Sequence, residues 1–350
     1  QPLQLLARDS ASKAETALAN VDAFAAQGVQ MIFGGATSEE AIAAGQRAHD
    51  LGLLYFATLS YADEVTGSAG HRYLFRESNS ARMSARVLGE YLSWNMPSQR
   101  YHYILVDDTW GRSIETELRT STASQDRARH GRSALPAHAA MRKDYLAALN
   151  KAAASNADIL VLALLGDDLQ RTLRLAHNLK LHTRMQIIVP HLSKSIVQQI
   201  GPKVMAGVIG TEAWTWRVPA QEQSDSGQAF VQAYIDHYQE YPASSAASAY
   251  SIVMQWADAV RRSGSLASEP LIGALEDHRY SLLKGPQQWR AFDHQNVQNI
   301  YAVRVRSRQH IMQDPLKQDY FEIIHQMAGD NAAPSLDDWQ QERGDQLSLQ

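Results

Sequence analysis

Four short polar clusters, each placed just after an apolar run, carry the residues in this sequence that could do chemistry. The first is Gly34-Gly35-Ala36-Thr37-Ser38-Glu39-Glu40. Its glycines admit close approach to the backbone, and its hydroxyls, with the N–H groups of a helix's first turn, can hold a carboxylate. Thr37 and Glu40 also have capping-box spacing, so Thr37 can cap the helix while Ser38 faces a ligand. The second cluster, Ala57-Thr58-Leu59-Ser60-Tyr61-Ala62-Asp63, offers small polar residues that either contact a solute or simply turn the chain. In the third, Asp107-Asp108-Thr109-Trp110-Gly111, an aromatic stands at a helix entrance, as a lid over a ligand or as packing between two halves. The fourth, Gly210-Thr211-Glu212-Ala213-Trp214-Thr215-Trp216, sets a carboxylate after a buried strand, among aromatics. Such a carboxylate is costly without a cation, which is either a ligand ammonium or an arginine such as Arg217. Acid, hydroxyls, a helix N-terminus and aromatics together suit a zwitterion, an amino acid or a related amide.

Other chemistries find little support. The glycine cluster lacks the lysine of a phosphate-binding loop, and no Gly-x-Gly-x-x-Gly follows a strand, which disfavours a dinucleotide cofactor. Neither His-Glu-x-x-His nor Gly-x-Ser-x-Gly occurs. The 13 histidines are scattered. His177 and His182 are off a same-face spacing, and His130 and His138 sit in an Arg/Ala-rich loop, so these four are expected as exposed surface residues. Asp107-Asp108 and Asp167-Asp168 each lie between a strand and a helix, where capping is the expected role. No cofactor, no metal and no catalytic residue is nominated.

These clusters need a scaffold, and the apolar pattern supplies one. Short apolar runs alternate with longer amphipathic stretches, which argues for parallel βαβ units. Strands are expected over Val29 to Phe33, Leu53 to Phe56, Tyr73 to Phe75, Tyr101 to Val106, Asp158 to Leu164, Met185 to Val189 and Ala206 to Gly210. Helices are expected over Ser38 to Asp50, Ser80 to Asn95, Arg112 to Ser124, Ala139 to Ala154, Asp168 to Leu179 and Ser193 to Ile200. Three successive helices follow, over Gly227 to Tyr241, Ala246 to Ser263 and Pro270 to His278. A hairpin is then expected, Gln287 to Phe292 with Ile300 to Arg306, turning at Asp293-His294-Gln295-Asn296. Tyr320 to Met327 is amphipathic, and Glu342 to Gln350 is expected to be loose. The architecture this implies is α/β, with two doubly wound parallel-sheet lobes joined by hinge crossovers. Lobe one is expected to hold residues 1–97 and 222–281, lobe two 98–221 and 282–310, with 311–350 as an extension.

Composition sets outer bounds. At 350 residues the chain is long for one core and comfortable for two. Lys plus Arg number 33 against 37 Asp plus Glu, a net charge of −4, so no polybasic surface offers itself to nucleic acid. No apolar run approaches the about 18–20 residues of a membrane span. Cysteine is absent, which removes disulfides and thiol chemistry and suits an oxidising compartment.

The ordered set of motifs resembles the type I periplasmic solute-binding proteins of ABC importers, in the branched-chain amino acid and amide group. Ile32-Phe33-Gly34-Gly35-Ala36-Thr37-Ser38 is similar to that family's Gly-x-x-Ser ligand loop, and Tyr73-Leu74-Phe75-Arg76 to its Phe-Arg strand. Asp107 to Gly111 resembles its Asp-x-x-Tyr-Gly turn, and Trp289-Arg290-Ala291-Phe292-Asp293-His294-Gln295 its Arg-x-x-Asp-His-Gln segment. The likeness runs over residues 3–306. It implies capture of a solute between two lobes, delivery to an ABC permease in the inner membrane, and a periplasmic or extracellular address. The ligand-sensing domain of a receptor or regulator is the alternative. Ser38 and the Ser60-Tyr61 segment would hold a carboxylate and Glu212 an ammonium. The implied ligand-binding set is Thr37, Ser38, Leu59, Ser60, Tyr61, Asp108, Trp110, Glu212 and Trp214. Trp110 stands where a tyrosine is common, and Tyr61 where a threonine is usual, a bulkier residue expected to narrow the pocket. Family members begin with a further strand and helix ahead of Gln4 to Leu6, so the chain is expected to be incomplete.

Overall fold

A computed structural model describes residues 3–137, 140–346 and 348–349. In chain order its elements begin with α1 (Ala14–Ala25), β1 (Met31–Gly34), α2 (Ser38–Asp50), β2 (Leu54–Ala57), β3 (Leu74–Arg76) and α3 (Ala81–Asn95). Then come β4 (Tyr101–Val106), α4 (Thr109–Ser121), β5 (Gly131–Leu135), α5 (Arg142–Ala154), β6 (Ile159–Ala163), α6 (Gly166–Asn178) and β7 (Gln186–Val189). Next are α7 (Lys194–Ile200), α8 (Pro202–Met205), β8 (Ile209–Glu212), α9 (Val218–Gln221), α10 (Asp225–Tyr238), α11 (Ser244–Ser263) and α12 (Ser268–Leu275). The chain closes with β9 (Arg279–Tyr280), β10 (Gln287–Trp289), β11 (Asn296–Val297), β12 (Ile300–Val305), α13 (Arg308–Gln313), β13 (Phe321–Met327), α14 (Gly329–Ala332) and α15 (Leu336–Arg343).

Two principal sheets organise the molecule. β1, β2 and β3 form a parallel three-stranded sheet. Alternation along its strands sends Tyr55 and Ala57 to one face, towards the small-residue face of α2, while Leu54 and Phe56 point to the other. That second face packs with Phe75, Trp256, Leu271, Ile272 and Trp289, so helices cover both sides. The larger sheet has the order β13-β12-β8-β7-β6-β4-β5. β4 and β6 are buried along their whole length, as central parallel strands must be when helices cover both faces. α3 packs on α4 and also against β8, β12 and β13 of this sheet. The α/β architecture with two sheet-centred lobes is therefore the one the sequence pattern implied.

Four details differ from expectation. The expected hairpin is absent: β10 pairs with β9 and β11, whereas β12 joins the larger sheet between β8 and β13. The reason lies in Asp293, His294, Gln295 and Asn296, which are polar but almost fully buried. Asp293 pairs with Arg290, His294 stacks on Phe75 with centroids 3.8 Å apart, and Gln295 accepts from Arg76 Nε at 2.6 Å. Tertiary bonds, not water, satisfy these groups. β5 gave no alternating pattern because it is a half-exposed edge strand. The fifth helix starts at Arg142; the expected start, Ala139, and the loop residue His138 lie outside the described residues.

The tail is structured further than expected, and Glu342 and Arg343, at the head of the stretch expected to be loose, are bonded to the body of the protein. Tyr320 to Met327 supplies β13, antiparallel to β12. Beyond it, Trp339 is buried and donates its Nε1 to Thr66 O at 2.8 Å. Glu342 accepts from Ser68 N at 3.2 Å, and Arg343 donates to the carbonyls of Gly67 and Gly70. Leu347 and Gln350 of that stretch lie outside the described residues.

Candidate functional site

The carboxyl ends of the parallel strands in the two sheets meet through Thr109–Glu39, Ser113–Asp63 and Tyr61–His191, and the four polar clusters sit on those ends. After β1, Thr37 caps α2: its Oγ1 accepts from Glu40 N at 3.2 Å, while Glu40 Oε2 accepts from Ala36 N at 3.0 Å. Gly35 has φ +93°, and a Cβ there would lie 2.8 Å from Ser60 Oγ and from Ala41 Cβ, so only glycine fits. Ser38 is buried, and its Oγ accepts from Ala62 N at 3.0 Å. Ser60 is also buried and donates to Gly35 O at 3.3 Å, so the first and second clusters are one bonded unit. Leu59, half-buried, is held to the first cluster by its N–H on Gly35 O at 3.2 Å.

Across from this unit stands the larger sheet. Asp108 caps α4, its Oδ1 accepting from Gly111 N at 2.7 Å. Trp110 lies inside the first turn of α4, not ahead of it, and is buried in the core. Thr109 N donates to Glu39 Oε1 at 3.1 Å, and Ser113 Oγ donates to Asp63 Oδ2 at 2.6 Å, so α4 touches the smaller sheet's loops directly. Between the sheets the Tyr61 ring lies against His191, centroids 3.9 Å apart. Burial, then Glu212 and Glu77, push the Tyr61 phenol well above its ordinary range.

Glu212 is the last residue of β8 rather than a residue beyond it, and is 1% exposed. Its Oε2 has no hydrogen-bond partner. Burial raises its carboxyl well above the usual range, against the opposing pull of the Ser244 hydroxyl and the Lys284 ammonium. Arg217 is not its partner: that guanidinium donates to Asp319, with Nε to Oδ1 at 2.7 Å. Trp214 is structural as well as adjacent, since its Nε1 donates to Leu283 O at 3.1 Å. A solvent-open recess of about 320 Å³ adjoins Glu212, walled by Trp214, Trp216, Ser244, Lys194 and Tyr320 among others. A buried carboxyl with one oxygen left unpartnered is chemically suited to receive a cation.

Residues that sequence reasoning missed share the same ground. His191, whose pKa burial lowers to about 4, follows β7 after a single proline, and its Nδ1 has no partner. The strand-end rule applied to Val189-Pro190-His191 would have found it. Glu77 and Lys284 are buried nearby, and only tertiary structure brings them together. His130, expected at the surface, is buried and accepts from Tyr101 N at 3.1 Å through Nδ1. Asp168, expected as a cap, lies within the first turn of α6, where Tyr145 OH donates to it. Among the described residues, no group of three or more His, Cys, Asp or Glu is arranged to hold a metal.

Two facing α/β sheets with polar strand ends between them define the class, a two-lobed binding protein. The chain belongs to the periplasmic binding protein family, whose model matches residues 1–310. No curated protein matches it. Among solved structures, a periplasmic binding protein from Burkholderia mallei is 20% identical, with 95% of this chain and 85% of that one covered and a TM-score of 0.81. An amino acid ABC transporter substrate-binding protein from Pseudomonas fluorescens is 23% identical, with 91% and 84% covered and a TM-score of 0.80. LivJ of Streptococcus pneumoniae, a branched-chain amino acid transporter substrate-binding protein solved with isoleucine, is 19% identical, with 92% and 87% covered and a TM-score of 0.75.

Proposed function

We propose that this chain is the non-catalytic substrate-binding component of an ABC transporter, capturing a small amino acid, amide or related polar solute between its lobes. The observation that carries this reading is Glu212, a buried carboxyl with one oxygen, Oε2, unpartnered, close enough to Tyr61 of the bonded Ser38–Ser60–Tyr61 unit to act on its phenol. Ser38, Ser60 and Tyr61 receive the solute's carboxylate from one side, with Thr37 and Leu59 holding that loop. Asp108 and Trp110 place the entrance of α4, while Glu212, walled by Trp214, takes the ammonium. A membrane permease is the partner, and the periplasm the place of work.

The lobes follow the two sheets. Because α3 packs on the larger sheet, we set the first crossing at 77–80, ahead of a division at 97/98. β9 to β11 go with the smaller sheet through Trp289, whose ring meets Phe56 and Phe75 edge-on. The test is isothermal calorimetry against a panel of amino acids, amides and small carboxylic acids, with Trp fluorescence as a second signal. Saturable binding of at least one zwitterion or amide, weakened in Glu212→Ala, is expected. No binding across the panel by this chain would reject the reading.

A further inference from the structure

Within residues 1–310 the chain passes between the two sheets three times: at 77–80 after β3, at 213–217 after β8, and at 298–299 before β12. One side-chain pair touches all three passages. Gln298 Nε2 donates to the carbonyl of Glu77 in the first. The Oε1 of the same amide accepts from Lys284 Nζ. That ammonium also donates to Ala213 O, in the second passage, at 2.6 Å. Gln298 itself belongs to the third. Lys284 is 4% exposed and Gln298 1%.

A buried ammonium costs several kcal/mol unless its surroundings compensate. Three carboxyls do so here: Glu77 from the first passage, Glu212 from β8, and Glu222 after α9. Glu222 is anchored by Tyr301 OH at 2.6 Å and by Asn299 Nδ2 at 3.0 Å. It lies so close to Gly285 that a Cβ there would collide with Oε2. Burial still lowers the Lys284 pKa to about 8. Sheet pairing does not need this cluster, because no strand ladder runs through it.

We propose that Lys284 and Gln298 are positioning residues, a single pin that makes the three passages move as one hinge and holds the Glu212–Ala213 segment in place. Opening the lobes rotates the three backbones, and without the pin each would rotate about its own axis. The idea deepens the binding-protein reading, but its principal test needs no solute. The chain has no cysteine, so spin labels attach only where Gln46→Cys and Thr120→Cys put them, one on each lobe. Lys284→Met and Gln298→Met should each broaden the interlobe distance distribution at pH 7, and the double variant should be no broader than either alone. Unchanged widths, or a double variant whose broadening is the sum of the two, would overturn the pin. With L-isoleucine as probe, each variant should bind at least tenfold more weakly; no binding by the parent protein counts against the solute reading only. Should a variant not fold, native-state hydrogen exchange of the unaltered protein decides. The amides of 77–80, 213–217 and 298–299 should then open with one common free energy, and distinct free energies would refute the proposal.

Discussion

Glu212→Gln should raise stability and remove function together, and both effects can be worked out. Glu212 is 1% exposed with Oε2 unpartnered, and its carboxyl titrates well above its ordinary range in the folded state. The folded protein therefore binds more protons than the unfolded chain between the ordinary carboxyl range and that raised value. In this window stability falls as pH rises, by up to about 1.4 kcal/mol per pH unit for one proton. Glutamine keeps the shape and has no charge to bury. Urea unfolding of the two proteins at pH 5, 6 and 7 should show the variant's advantage growing with pH at up to that slope. A difference that stays flat with pH would mean that the carboxylate is ionised and compensated in the fold, and would refute the argument. The same proton gives a binding signature. An arriving ammonium stabilises the carboxylate, so the protein should release up to one proton per solute at pH values between the ordinary carboxyl range and that raised value. Calorimetry in buffers of different ionisation enthalpy measures this release; Glu212→Gln should show none and lose about 2–5 kcal/mol of affinity.

Other perturbations have signs fixed by the same geometry. His191 titrates at about 4, below its ordinary range, so the unfolded chain binds the extra proton as pH falls from 6.5 to 4. His191→Gln should abolish up to about 1.4 kcal/mol per pH unit of acid destabilisation there, read by urea unfolding; an unaltered slope would mean the ring is hydrated. Trp339→Ala should cost about 3–5 kcal/mol and speed hydrogen exchange of the Ser68 amide, which Glu342 otherwise holds. Slow exchange at Ser68 in that variant would show that α15 docks without the indole. Gly111→Ala would drive a Cβ into the carbonyl of Val106. A loss of about 1–3 kcal/mol is expected from such overpacking, and an unchanged urea midpoint would contradict the close packing at the start of α4.

What was legible in the sequence followed from periodicity and local bonding. α2 spans the expected Ser38 to Asp50, because a capping threonine, acidic first turn and small apolar face all agree there. The continuous apolar runs of β4 and β6 marked central strands for the same reason. Failures came where tertiary contacts replaced water. The polar run 293–296 looks like a solvated turn, yet its groups bond to Arg290, Leu74 and Arg76, two of them more than 200 residues away. Lys284 and Gln298 gave no signal because both lie outside the strand-end clusters in sequence and reach distant backbone carbonyls, Ala213 O and Glu77 O, that no side-chain pattern marks. Trp214 and Glu212 were singled out by type and place. Only the structure distinguishes the anchored indole from the acid with one oxygen unpartnered.

The docking of α15 also bears on how the molecule is made. Backbone carbonyls of Thr66, Gly67 and Gly70 accept from Trp339 and Arg343, about 270 residues further on. During synthesis, a nascent chain that has already produced the whole first sheet still carries an unfinished loop. Contacts of such long sequence separation form late and slowly. A chain that ends before Trp339 would thus expose this loop to proteases, so that synthesis of α15 and acquisition of resistance there coincide.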